Sequence, residues 1–313
     1  MTAPRAALGA ARRWLHRLAG GPASVDPEME QLRRQLAEYE RGWPPGHFYS
    51  PIPSLAEVSR REAEIFRVPR EIPGVDLNEG EQLALFAALA PYYDEQPFPD
   101  HRREGGRYFF ENPMYTYGEA LILYAMMRHL RPRRIVEIGS GHSSCAMLDT
   151  VERFLGGAVA CTFIEPYPDL LRSLVGDDEF ARLRVIAKPV QDVDPEVFAG
   201  LEAGDILFVD STHVAKVGSD VNHIVFRVLP TLQRGVYVHF HDVYYPFEYP
   251  REWVYQGRAW NEAYVMRAFL QYNREYQVAF FNSFFGTFHR ELLGERMPLC
   301  LRGPGSSLWL RRV

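Results

Sequence analysis

Two stretches put histidine and aspartate at the tips of apolar runs: Phe208-Val-Asp210-Ser-Thr-His213 and His239-Phe-His241-Asp242. Imidazole is the side chain whose proton comes and goes near neutral pH, and a neighbouring carboxylate orients it for that work. The same two residue types also ligate divalent ions. Alternation along a strand points His239 and His241 to one face. His239, two residues inside its run, therefore reads as a core histidine, and His241 as the reactive one. The plainer readings are that Asp210 caps the following turn and that Asp220 belongs to a helix N-terminus.

Such tips are useful only if the elements carrying them are neighbours. The stretch that organises the chain is Arg134-Ile-Val-Glu-Ile-Gly-Ser-Gly-His-Ser-Ser144, an apolar strand ending in a Gly139-x-Gly141 turn that opens a helix. In a doubly wound α/β sheet that turn presents backbone N–H groups to a nucleotide-like ligand. Periodicity places strands at 134–138, 159–164, 183–187, 205–209 and 235–240, then a closing pair at 276–281 and 306–310. Helices fall at 118–130, 143–154, 168–174, near 195–201, from Ser219 through Leu232, and at 261–272. The implied fold is α/β, a Rossmann-like sheet of seven mainly parallel strands with an N-terminal helical extension.

Three regions follow. Residues 1–53 hold amphipathic helices and a Pro-rich linker. Residues 54–130 hold helices 54–66 and 78–89, expected as a cap over the sheet's mouth, and the helix preceding the first strand. Residues 131–313 form the ligand-binding domain. The first 25 residues carry Arg5, Arg12, Arg13 and Arg17 with no acid before Asp26. This basic amphipathic segment suits docking on its own protein better than a membrane surface or a targeting role.

Composition narrows the function. A net charge of −5 gives no footprint for nucleic acid. Arginine dominates the cations, since Lys188 and Lys216 are the two lysines. No apolar run reaches the roughly 18 to 20 residues of a membrane span. Cys145, Cys161 and Cys300 are an odd number, read as thiols of a reducing, cytoplasmic setting. A small-molecule partner is the expectation, and a homo-oligomer is compatible with it.

The order of these signs resembles the class I S-adenosylmethionine-dependent methyltransferases over residues 112–313: Glu137-x-Gly139-x-Gly141 after strand one, Glu165 after strand two, Asp210 after strand four and two terminal strands. The resemblance implies S-adenosyl-L-methionine as cofactor, contacted by Glu137, Gly139, Gly141 and Ser143, by Glu165 at the ribose, and by Gln191-Asp192 at the adenine. Tyr115 and Tyr117 would close its other side. A dinucleotide site fits less well, because Ser144 stands where its third glycine belongs.

In that strand order the tips of strands four and five adjoin. Relatives acting on catechols, sugars and macrolides hold a divalent ion there with acidic residues, which by position gives Asp210, His241 and Asp242 as ligands of magnesium, manganese or iron. A histidine at 241 departs from that pattern and shifts preference toward a transition metal. The metal-free alternative makes His213 or His241, oriented by Asp210 or Asp242, the general base. Catalytic work thus falls to His213, His241 and Asp242. The aromatic segment 244–260 reads as a lid or acceptor pocket. The implied reaction is O-methylation of a small hydroxylated metabolite or sugar, metal-assisted in one version. The competing functions are other chemistry on this fold, similar to cephalosporin hydroxylase, and a non-catalytic binding protein.

Overall fold

The computed structural model describes residues 27–39 and 42–313. The basic segment at 1–25 lies outside them. The chain divides into two compact units, residues 1–60 and 61–313. Within the first, the polar helix Pro27–Tyr39 carries an exposed Glu30–Arg34 pair, and Trp43 stacks on His47 at 4.3 Å before the helix Leu55–Arg60. The helix expected over 54–66 breaks at Arg61, and Glu62–Ile65 opens the second unit.

The second unit is built on seven strands: β1 (Arg134–Ile138), β2 (Ala160–Ile164), β3 (Arg184–Ile186), β4 (Ile206–Val209), β5 (Tyr237–Phe240), β6 (Tyr276–Phe281) and β7 (Leu308–Arg312). Their order is β3-β2-β1-β4-β5-β7-β6, with β7 antiparallel to both neighbours. The parallel strands are nearly continuous Val, Ile, Leu and Phe because helices cover both their faces. Ile138 pairs with Ile164 and Val209, and Val209 with Phe240, so four strands end in one line. β1 and β4 are parallel neighbours from which successive strands are added in opposite directions across the sheet, and this switch point opens a crevice at that carboxyl edge.

One face packs Val136, Ile138, Leu207, Val209, Val238 and Phe240 under the helices of 220–231 and 262–270. The other packs Ile135, Phe208, Phe280 and Trp309 under Tyr117–Leu130, whose residues 117–127 are all buried. Helix Glu79–Leu89 does not cap the sheet's mouth. It lies along β6, where Gln82 Oε1 accepts from Phe281 N at 2.9 Å and Phe86 packs on Phe280 and Phe285. An edge strand with free N–H groups needs such a partner.

Ser219 caps the next helix through Asn222 N as expected. The regular spacing beyond it conceals a π-helical stretch, Ile224–Val228, and a 3₁₀ turn, Leu229–Thr231, where Pro230 has no N–H to continue an α-helix. Two helices without an earlier sequence assignment, Asn282–Phe288 and Arg290–Arg296, follow β6 directly. Cys145, Cys161 and Cys300 are free thiols, and no helix of the described residues is long and apolar enough to cross a membrane.

Candidate active site

The turn after β1 rests on β4. Gly139 has φ +84°, and a Cβ there would stand 1.8 Å from the Asp210 carbonyl oxygen. The approach is fixed from both sides: Asp210 N donates to Ile138 O at 2.8 Å and Gly139 N to Ile164 O at 2.9 Å. Gly141 differs, for its backbone is extended and a Cβ would meet only Leu170 Cδ2 at 3.4 Å. The first glycine is therefore the one the geometry requires.

Beside this turn lies a cavity of about 400 Å³, whose lining includes Gly139, Glu165, Gln191, Asp210, Lys216 and Asp220. Glu165 spans two loops, its Oε1 accepting from Tyr167 N at 2.8 Å and its Oε2 from Ser140 N at 3.4 Å.

Several residues expected at the cofactor, Tyr115 and Gly141 among them, do not line this cavity. Glu137 is fully buried: Ser143 Oγ donates to its Oε1 at 2.5 Å, the Ser144 hydroxyl donates to Oε2, and Gly141 N donates to Ser144 Oγ at 3.0 Å. Glu137 and Ser143 thus tie the helix start to β1 rather than line the cavity. Asp192 is exposed at the end of the turn Val190–Asp192, where three residues per revolution send Gln191 to the cavity and its successor away. Tyr117 stacks on Phe110 at 4.9 Å beneath the Arg302 guanidinium and hydrogen-bonds Glu111, away from the cavity.

Burial pushes the Glu137 carboxyl up to about 8, against the hydrogen bonds from Ser143 and Ser144. A folded pKa above the unfolded value means the native state holds the extra proton, so the associated stability is full below the unfolded pKa and is lost as pH rises through about 8. Glu137→Gln should flatten that decline. In thermal melts from pH 5 to 9 the wild-type midpoint falls more steeply than the variant's; parallel curves would contradict this environment.

The tips of β4 and β5 do meet. Asp210 Oδ1 lies 3.2 Å from His241 Nδ1 and 3.4 Å from His213 Nε2, and Asp242 Oδ2 lies 3.6 Å and 3.8 Å from the same nitrogens. His213 Nδ1 hydrogen-bonds Glu262 Oε2 at 2.8 Å. His241 Nε2 stands 3.0 Å from Glu119 Oε1, an ion-pair separation whose angles fall short of a hydrogen bond. Asp210, with a side chain 31% exposed, belongs both to this cluster and to the cavity wall.

Burial alone would lower His213, but Asp210 and Glu262 outweigh it and raise the ring to about 10. Burial would likewise raise Asp210, and the imidazoles of His241 and His213 hold it well below the usual range. His213 and Asp242 both have left-handed backbones, φ +60° and +54°. For residues with a Cβ that conformation persists only where surroundings impose it. At His213 they include Asn261 N and Glu262 N, both donating to its carbonyl at 3.1 Å.

Glu119, Glu262 and Ser306 were not anticipated at this site. Ser306 Oγ bridges Glu119 Oε1 at 2.9 Å and Asp242 Oδ1 at 3.0 Å, and Ser306 N also donates to Glu119 at 2.9 Å. Carboxylates on the far nitrogens of paired histidines are a recurrent need, so a search for unassigned acids in helix first turns would have found Glu119 and Glu262. His239 is a core residue, stacked on Phe208 at 3.8 Å with Nε2 on Ser307 Oγ at 2.8 Å. Of the aromatic segment, Tyr245, Phe247 and Tyr249 are buried packing, whereas half-buried Trp260 lies 4.5 Å from the His213 ring.

Residues 136–243 match a family described as methyltransferase domain. An uncharacterized protein of Archaeoglobus fulgidus is 42% identical over 184 residues, 57% of this chain and 78% of that protein. Among solved structures, the SAH-bound Podospora anserina methyltransferase PaMTH1 aligns with 78% of this chain and 99% of its own at 15% identity and a TM-score of 0.41. The O-methyltransferase TomG of Streptomyces achromogenes, in complex with SAM, covers 83% of this chain and 96% of its own at 15% identity and a TM-score of 0.38.

Proposed function

We propose that this chain is a class I S-adenosylmethionine-dependent methyltransferase that methylates a hydroxyl oxygen of a small metabolite or sugar, a reading supported by the methyltransferase-domain match and the seven-stranded sheet order. The observation carrying the proposal is that one residue, Asp210, lines the cavity beside the Gly139 turn, which we assign to the cofactor, and touches both histidines of the acid–imidazole cluster. A sulfonium methyl placed over the β1–β4 crevice therefore lies beside groups able to activate an oxygen.

In the reaction the acceptor oxygen forms a bond to the methyl carbon while the carbon–sulfur bond breaks, its electron pair neutralising the sulfonium to give S-adenosylhomocysteine. The acceptor's proton goes to Asp242 Oδ2, whose nearest ring nitrogens stand 3.6 and 3.8 Å away and leave room for it. The chain's task is alignment, with oxygen and methyl carbon about 3 to 3.5 Å apart in line with the leaving sulfur. Glu165 is the acid for the ribose hydroxyls, preset by its bonds from Tyr167 N and Ser140 N.

Two measurements test this reading. Isothermal calorimetry should show one adenosylmethionine bound, and Glu165→Gln should weaken it about tenfold or more, the worth of a charge-assisted hydrogen bond. Labelled adenosylmethionine offered with hydroxylated metabolites should label an ether oxygen. Labelling of nitrogen or carbon instead would refute the acceptor class, and no binding of adenosylmethionine by the folded protein would refute methyl transfer.

A further inference from the structure

We propose that Arg258 anchors a negatively charged group of the methyl acceptor, a carboxylate or a phosphate, so that the acceptor is an anionic hydroxylated metabolite. This deepens the methyl-transfer reading of the same site and rests on it.

Three half-buried rings of the segment after β5 form an arc between the two ends of the acid–imidazole cluster. Tyr244, two residues beyond Asp242, meets Trp253 edge to face at 5.4 Å, and Trp253 meets Trp260 the same way at 5.3 Å. Trp260 lies against the His213 ring at 4.5 Å. The arc is fixed at that end by the next residue: Asn261 Oδ1 accepts from Ala215 N at 2.6 Å, and Asn261 N donates to the His213 carbonyl at 3.1 Å. The Arg258 guanidinium packs against both indoles, 4.2 Å from the Trp253 ring and 5.2 Å from the Trp260 ring, and its backbone N–H donates to Trp253 O at 3.0 Å.

Arg258 has no carboxylate partner among the described residues. Other ring-stacked arginines do: Arg70, Arg128, Arg172, Arg251, Arg302 and Arg312 each lie over an aromatic face and also pair with an acid. Arg311 shares the lack, but it lies over Tyr237 at the opposite, amino end of β5. Stacking holds a guanidinium by its face and leaves open its in-plane N–H fork, the edge that takes a carboxylate or phosphate in two parallel bonds. Because two indoles fix that plane, little side-chain freedom remains to be lost when an anion binds.

Charge sets the acceptor's orientation. Asp210, Asp242, Glu119 and Glu262 gather around His213 and His241, so the cluster repels an anion and admits a hydroxyl. Arg258 stands outside this group, beyond the Trp260 ring. An acceptor with its anion at Arg258 and its carbon skeleton on the indole faces turns a hydroxyl toward Asp242, the proton acceptor of the proposed reaction.

The test measures binding to the full-length protein in excess S-adenosylhomocysteine. Calorimetry compares 3,4-dihydroxybenzoate with its methyl ester, and glucuronate and glucose 6-phosphate each with glucose. In at least one pair the anion should bind about tenfold or more tightly than its neutral partner, and which pair does so tells carboxylate from phosphate. Arg258→Gln should erase that preference while adenosylmethionine affinity stays within about threefold. Arg258→Lys, which keeps the charge without the fork, should restore part of it. No preference in any pair overturns the proposal, as does a preference that survives Arg258→Gln. Adenosylmethionine binding without an anion preference leaves methyl transfer standing and removes this role from Arg258. A preference that depends on Arg258 in protein that binds no adenosylmethionine supports the anion site and refutes methyl transfer.

Discussion

Asp210→Asn should lower kcat by about 10²- to 10⁴-fold while changing adenosylmethionine affinity less than about tenfold. The asymmetry follows from how Asp210 is used. Its backbone braces the turn after β1, giving N–H to Ile138 O and a carbonyl against Gly139, and an amide side chain leaves both intact. Its carboxylate lies within 3.4 Å of both His213 Nε2 and His241 Nδ1, and asparagine cannot supply that charge. The check is steady-state turnover of labelled adenosylmethionine with the acceptor from the screen, beside calorimetric titration of the cofactor. Equal losses in both would show that the side chain serves binding rather than chemistry.

Gly139→Ala should destabilise the fold by more than about 4 kcal/mol, at the extreme of single substitutions. A Cβ 1.8 Å from a carbonyl oxygen cannot be accommodated by a rotamer change, because both partners are backbone at strand ends. Left-handed φ adds roughly 1 to 2 kcal/mol. The loss corresponds to a melting point lower by roughly 8 °C or more, with adenosylmethionine binding lost in whatever folds. Gly141→Ala is the control, expected within about 1 kcal/mol because its Cβ meets one methyl at ordinary contact distance. Similar melting points for the two variants would show that the turn can move off β4.

Much of the scaffold can be read from the chain. Short apolar runs closing on Glu137, Glu165, Asp210 and His241 identify parallel strands and the carboxyl edge they share, because period and burial act locally. The site is legible only on its strand side. Glu119 reaches His241 because the loop bearing Ser306 folds over the start of its helix, 187 residues away in sequence, and Glu262 reaches His213 across 49 residues. No local pattern encodes such meetings. Tyr117 and Asp192 mislead for the opposite reason: proximity to a motif in sequence does not set which way a side chain turns. Glu137 has the residue type suited to a cationic ligand, but the hydroxyls of Ser143 and Ser144 already engage its carboxylate.

β7 lies between β5 and β6 although it is translated after both. During synthesis β6 thus emerges with no sheet partner, and the gap beside β5 stays open until residues 308–312 leave the ribosome. The same late segment brings Ser306 to Glu119 and Asp242. A nascent chain halted before residue 303 would therefore hold β1 to β5 while lacking β7 and the Ser306 bridge, so the groups around His241 come together only once that segment has been made.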